Sequence, residues 1–366
     1  MNQSRPRLAV VVALAYMVVI VYASLQPFQD WRMPPSEIVG FLAAPWPHYL
    51  IAGDIALNIA AYLPLGAMLY FALRPALPGA AAAVGATLIA ATLSLGLESL
   101  QMFLPARIAS NVDLMSNGAG ACCGALASWL LSLFPSERNL LYITRRRLFR
   151  ASVLGDCGLL LIALWIVIQF YPAPLMFGSG DLRDVLRLEP GFAHSPQSYL
   201  LAEAAVAVFA TGAVGLLISL LLQSAQRPLL PFLTVMLLGL AARAAAAATM
   251  VRSTLWLQWL TPGTALGLAA GVIGVMLLVR LPRRGRIIAA LTCVIAGVII
   301  VNIAPGNPYQ SPLRFMLSPQ QTHLMNFSNI MRLLSALWPL LAAAYLVALE
   351  RNAGAGATQM RNRQTQ

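Results

Sequence analysis

The sequence predicts an all-α protein: a polytopic transmembrane helical bundle of about ten helices with both termini cytoplasmic. Three observations carry that prediction. First, 59% of the 366 residues are hydrophobic and only 10% charged, against roughly 25% charged in a soluble chain; the mean hydropathy is +0.75. Second, apolar runs recur at the roughly 20 residues that a helix needs to cross the hydrocarbon core. Third, the basic residues fall mainly in alternate connecting segments. Together these exclude a soluble enzyme and a disordered chain.

The elements follow in order from the apolar runs. The first helix is expected over 8–24, the second over 53–73, the third over 79–103 and the fourth over 113–134. The fifth is expected over 153–171, the sixth over 199–223, the seventh over 229–250, the eighth over 262–280, the ninth over 287–304 and the tenth over 330–349. Arg5 and Arg7 before the first run also fit a signal peptide, but the run is long for one and no clean small-residue cleavage site follows. A retained helix is expected. The seventh run is Ala-rich and carries Arg243, for which Glu203 in the sixth is the candidate partner. The domains read as 1–135, four helices; 136–152, an Arg-rich cytoplasmic loop; 153–350, six helices; and 351–366, a disordered cytoplasmic tail.

Every one of the 24 basic residues is arginine. With the N-terminus inside, 16 of the 24 fall in cytoplasmic segments, including the runs at Arg145–Arg150 and Arg280–Arg286. The net charge of +12 is therefore read as a topology signal, and no nucleic-acid partner is expected. Cys122, Cys123, Cys157 and Cys293 sit in apolar stretches, and His48, His194 and His323 are scattered. No metal site and no cofactor are expected.

Ionisable and amide side chains inside membrane helices are costly and mark candidate sites. Asp54 and Asn58 share a face of the second helix, Glu98 and Gln101 a face of the third with Ser94 one turn away, and Asp113 and Asn117 a face of the fourth. All three pairs lie at the outer ends of their helices in this topology. Arg107 sits in the short loop between the third and fourth. Plain structural readings stand beside this one: Asp54 and Asp113 as N-caps, and an Arg107–Glu98 ion pair as a fastener. Glu98 lies inside its helix, where it cannot cap that helix's N-terminus.

Gly118, Gly120 and Gly124 read as close helix packing, as do Gly267 and Gly271. Pro64 predicts a kink in the second helix. Near the tenth helix, His323, Asn326, Asn329 and Arg332 form a further polar group read as surface and packing residues. Asp181, Asp184 and Glu189 alternate with Arg183 and Arg187 and read as a solvated amphipathic loop.

Three stretches resemble the VanZ-like family: GDIALNIAAYLPLGAML, SLGLESLQMFLPAR and NVDLMSNGAGACCGAL. The pattern falls on Asp54, Asn58, Tyr62, Pro64, Gly66, Glu98, Gln101, Arg107, Asp113, Asn117, Gly118 and Gly120, and covers about residues 8–135. Family members often carry a second acid beside the Asp before the fourth helix. Here the neighbours are Asn111, Val112 and Leu114, which removes a paired-carboxylate role at that position. The resemblance implies an envelope role at the outer leaflet of the bacterial inner membrane, in a family linked to resistance to teicoplanin, a lipid-tailed glycopeptide.

The expected function is therefore binding or shielding of a membrane lipid or lipid-tailed envelope molecule, without catalysis. The binding residues are Asp54, Asn58, Glu98, Gln101, Arg107, Asp113 and Asn117. A transporter or flippase, a membrane enzyme on a lipid-linked substrate, and a partner of envelope-assembly proteins stay open as alternatives. Against transport, the polar residues cluster on one side. Against an enzyme, no nucleophile–base set is present.

Overall fold

Ser110, Ser152, Ser195 and Thr261 each hold an N-cap position. Their side-chain oxygens accept from backbone amides two or three residues on. Each such cap stabilises its helix by about 1 kcal/mol. Pro196 and Pro262 follow directly after two of them, where the missing proline N–H has no helical partner to lose.

The computed structural model describes residues 4–26, 28–34, 37–46, 52–134, 145, 147–170, 175–187, 191, 195–223, 228–250, 257, 259–305 and 322–364. Side chains at 4–7, 52–53, 184–185, 248–250, 322–330 and 353–364 lie outside that description. Ten principal helices span the described residues: α1 Ser4–Leu25, α2 Ala52–Leu73, α3 Gly79–Gln101, α4 Asn111–Leu133, α5 Val153–Ile168, α6 Pro196–Leu221, α7 Leu229–Met250, α8 Pro262–Leu278, α9 Arg283–Ile303 and α10 Thr322–Gln364. A 3-10 turn at Gly40–Ala43 and a one-turn helix at Arg183–Leu186 accompany them. Eight of the ten are long and apolar enough to cross a membrane. The chain is a multi-pass membrane protein.

Three differences from expectation concern helix length. α5 and α8 have 16 and 17 residues, fewer than the roughly 20 of a full perpendicular crossing. α10 continues through Gln364, past the expected start of a disordered tail at 351. Its last turns run on past Gly354 and Gly356 and contain no proline to end them.

The chain divides into two compact units, Met1–Thr144 and Arg145–Gln366. In the N-terminal unit α2 and α4 form the closest pair. A Cβ on Gly124 would lie 1.9 Å from the Leu63 carbonyl oxygen, one on Gly120 2.4 Å from that of Ile59, and one on Gly66 2.0 Å from that of Ala121. Backbone therefore meets backbone along this seam. Gly118 does not share the packing role expected of it, because a Cβ there would meet nothing within 4 Å. α3 packs on α4, and α1 lies against α2 and α3, with Tyr16 donating to the Ala61 carbonyl at 2.9 Å.

In the C-terminal unit α6 is the hub, with 72% of its span buried. α8 rides on it through Gly267, whose Cβ would lie 2.3 Å from the Ala204 carbonyl oxygen. α9 packs on α6, and α10 packs on α5 and α9. In the charged stretch expected as a solvated loop, Asp181 and Arg183 are half-buried and Arg187 is exposed, and the apolar residues just before it are packed inside. Leu175, Met176 and Phe177 are buried, and Phe177 packs on Trp165 at 4.8 Å between ring centroids. Asn302 of α9 clamps the segment, donating to the Gly180 carbonyl at 2.7 Å and accepting from the Leu182 amide at 2.8 Å. Asp181 pairs with Arg183 at 2.6 Å, and Arg183 also donates to the Ala304 carbonyl. Glu189 and the side chain of Asp184 lie outside the described residues. Glu203 is buried and accepts from Thr261 at 2.5 Å.

Candidate functional site

The N-terminal end of α2, the C-terminal end of α3 and the N-terminal end of α4 meet at one end of the N-terminal unit. Antiparallel connections force this, and the expected polar pairs come together there as a layered column. In the outer layers Asn58 Nδ2 donates to Asp113 Oδ1 at 2.8 Å, tying α2 to α4. Glu98 Oε2 accepts from the Ser110 amide at 2.9 Å, tying α3 to the start of α4. In the deepest layer Asn117 Nδ2 donates to Ser94 Oγ at 2.9 Å. Ser94, Glu98, Gln101 and Asn117 are all buried.

The deepest layer is incompletely satisfied. Asn117 Oδ1 and the Tyr62 hydroxyl are buried without a hydrogen-bond partner. Beneath it Leu65, Ala90 and Ala121 have no exposed surface. The polar column thus stops on an apolar floor.

Two of the expected capping roles are corrected. α4 begins at Asn111 with Ser110 as its cap, so Asp113 lies inside the first turn. α2 begins at Ala52, so Asp54 also lies inside the first turn. Both carboxylates still face a helix N-terminus, where the aligned peptide dipoles favour negative charge.

The expected Arg107–Glu98 ion pair is also corrected. Arg107 Nη2 donates to the Ala23 carbonyl at 2.8 Å and Nε to the Gln26 carbonyl at 3.1 Å, both at the end of α1. Gln101 Nε2 donates to the Ser24 carbonyl at 3.0 Å. The last carbonyls of a helix have no partner within it, and here they lie within hydrogen-bond reach of the guanidinium and the amide, while the Glu98 carboxylate takes the Ser110 amide. Arg107 and Gln101 fasten α1 to this end. Arg107 Nη1 makes no hydrogen bond with the described residues and remains a donor. Burial lowers the pKa of the Arg107 guanidinium, and the Glu98 and Asp113 carboxylates push it back up.

Alongside the column runs an apolar groove of about 560 Å³. Met17 and Val21 of α1 form one wall, and Leu88, Leu93, Leu97 and Leu100 of α3 the other. From Leu88 to Leu100 it extends about 18 Å at 1.5 Å per residue, close to half of a hydrocarbon core about 30 Å thick. α3 thus presents Ser94, Glu98 and Gln101 to the column and Leu93, Gly96, Leu97 and Leu100 to the groove.

Sequence reasoning passed over Tyr62 and Ser94 as site residues and Ser110 as the cap. A serine directly before an amphipathic run was the available signal for Ser110. Asn302 was missed as well, although an amide inside a membrane helix is flagged by the same cost argument that selected Asn58 and Asn117. The side chains of His323, Asn326 and Asn329 lie outside the described residues, while Arg332 is exposed. No group of three or more metal-binding side chains occurs among the described residues, and the four cysteines are unbridged.

The model of the VanZ/LLP1 family matches residues 9–132. The N-terminal unit therefore carries a VanZ-family domain, and the match takes in the column and the groove. No curated protein and no solved structure matches the sequence.

Proposed function

We propose that this VanZ-family domain binds a lipid-tailed molecule of the bacterial cell envelope, at the outer leaflet of the inner membrane. The acyl chain lies in the groove between α1 and α3. The polar headgroup sits at the adjoining end, where Arg107 Nη1 offers a donor to an anionic or carbonyl oxygen. A lipid-tailed glycopeptide such as teicoplanin belongs to the same chemical class as an envelope lipid in this respect.

The observation that carries this reading is the groove itself, apolar along its length and as long as one leaflet is deep. The apolar floor beneath the column favours binding over passage, since a transported headgroup needs polar partners across the whole bilayer. No step of covalent chemistry is needed, because the column's carboxylates already serve helix N-termini.

Gly96 supplies the test. A Cβ there meets nothing within 4 Å, and the residue lines the groove. Gly96→Leu puts a side chain into the groove from a position where a Cβ has open space. Gly118→Leu is the control, because it too has open space, on α4. Native mass spectrometry of the purified full chain should show a co-purifying lipid-tailed species that Gly96→Leu loses and Gly118→Leu keeps, with both variants folded. An unchanged lipid profile in Gly96→Leu would sink the proposal and leave the groove as ordinary lipid-facing surface.

A further inference from the structure

A second polar group lies in the C-terminal unit, where the start of α5, the end of α6, the start of α9 and the middle of α10 meet. Arginine charge accumulates there. Arg286 is buried, 8% exposed, and its Nη1 donates to Ser219 of α6, to the carbonyl oxygen at 2.9 Å and to Oγ at 3.2 Å. Arg283 lies one turn earlier on α9. Arg150 is held against α6 through its amide, which donates to the Leu221 carbonyl at 3.0 Å, and its Nε, which reaches the Leu222 carbonyl at 3.3 Å. Arg150 and Arg283 both act electrostatically on Arg286 and on the Tyr345 hydroxyl of α10.

No ion pair between a carboxylate and any of these three guanidiniums occurs among the described residues. The acids of α5 and α10 are engaged with other arginines, Asp156 with Arg145 and Glu350 with Arg284 at 2.6 Å, and Glu203 lies toward the other end of α6. Three donors at the centre are buried with no partner: Arg283 Nε, Arg286 Nε and the Tyr345 hydroxyl. Buried polar groups almost always have a partner, so three donors of one group without a partner among the described residues mark a place where an acceptor belongs. The first turn of α9 adds to the same field. It has no side-chain cap and no acidic residue, and a helix N-terminus carries partial positive charge.

We propose that Arg150, Arg283, Arg286 and Tyr345 form an anion site for a phosphate group. Guanidinium forks match phosphate oxygens in geometry and charge, and Arg150 is exposed, which leaves the site open at its rim. The phosphate comes either from the headgroup of an anionic phospholipid or from free phosphate. This reading is independent of the groove and column in the other unit.

The test uses the full chain in nanodiscs of phosphatidylcholine, with or without phosphatidylglycerol, and in phosphatidylcholine nanodiscs with inorganic phosphate. Wild type is compared with Arg283→Gln, Arg150→Gln and Arg74→Gln. Arg74 belongs to the N-terminal unit and donates only to the Leu77 carbonyl at 3.4 Å, so it reports general basic charge. Arg150 is exposed, which keeps its variant informative if Arg283→Gln fails to fold. Retention of phosphatidylglycerol, read by native mass spectrometry, should weaken about tenfold in the Arg150 and Arg283 variants and stay at the wild-type level in Arg74→Gln. A rise in unfolding temperature with inorganic phosphate, lost in the same two variants, assigns the site to free phosphate. An effect of phosphatidylglycerol alone assigns it to the headgroup. Equal retention in all four proteins with no effect of phosphate overturns the proposal, as does an equal loss in Arg74→Gln.

Discussion

Glu98 illustrates how a side chain's role depends on its neighbour in space. Placed inside its own helix, it has no N-terminus of its own to cap. In the fold it sits in the last turn of α3 and accepts from the amide of Ser110, the cap residue of α4, at 2.9 Å. It does for the next helix what the third residue of a capping box does within one. Glu98→Ala strands that amide and should destabilise the protein by about 1–3 kcal/mol. Glu98→Gln keeps an acceptor oxygen and should recover most of the loss. Reversible unfolding in mild detergent measures both, and equal losses would show that the acceptor is not what matters. Asn58 and Asp113 form the companion pair, bonded at 2.8 Å. A double-mutant cycle on Asn58→Ala and Asp113→Ala should return a coupling of about 1.5–3 kcal/mol, the range for hydrogen bonds to charged groups. Independent, additive effects would contradict the bond.

Between elements, small residues decide how closely helices approach. Gly118 and Gly124 lie six residues apart on α4 and read alike in the sequence. Gly124 faces the α2 backbone and Gly118 faces open space. Gly124→Ala should destabilise by about 1–3 kcal/mol through overpacking, whereas Gly118→Ala should stabilise by about 0.5–1 kcal/mol through helix propensity. Unfolding temperatures of the two variants check this, and equal shifts would refute the seam. The segment 175–187 is an element-scale feature of a different kind. Ahead of its one-turn helix at Arg183–Leu186, the Gly180 carbonyl and the Leu182 amide are satisfied by Asn302. A buried non-helical segment in a membrane protein needs such a partner for its peptide groups. Asn302→Ala should leave the global fold in place while speeding amide exchange at Leu182 by about tenfold or more, as expected from the loss of about 1–2 kcal/mol of local stability.

At the scale of the whole molecule the arginines make a prediction about orientation. The arginine distribution predicts Arg74 inside and the loop between α3 and α4 outside. Ile108 in that loop is 87% exposed, so a probe can reach it. In a background with the four cysteines replaced by alanine, Ile108→Cys should react with an impermeant thiol reagent on intact cells. Arg74→Cys should react only after permeabilisation. The reverse pattern would invert the topology and move the column to the cytoplasmic leaflet. α5 and α8, with 16 and 17 residues, are short for spans, and such helices tilt less or thin the bilayer locally.

The sequence by itself determined the class of the protein, the number of principal helices and the three polar pairs at one end of the N-terminal helices. These follow from local information: apolar run length against bilayer thickness, and the cost of every polar group inside it. It could not determine partners. Whether Arg107 pairs with Glu98 or with the carbonyls of Ala23 and Gln26 depends on where the end of α1 lies, which no spacing within α3 or α4 encodes. Whether Arg283 and Arg286 serve topology alone or also converge with Arg150 and Tyr345 depends on four segments folding to one end of a unit. Hydrogen bonds act over about 3 Å, so pairings between residues 80 to 200 positions apart in the chain were decided by tertiary packing alone.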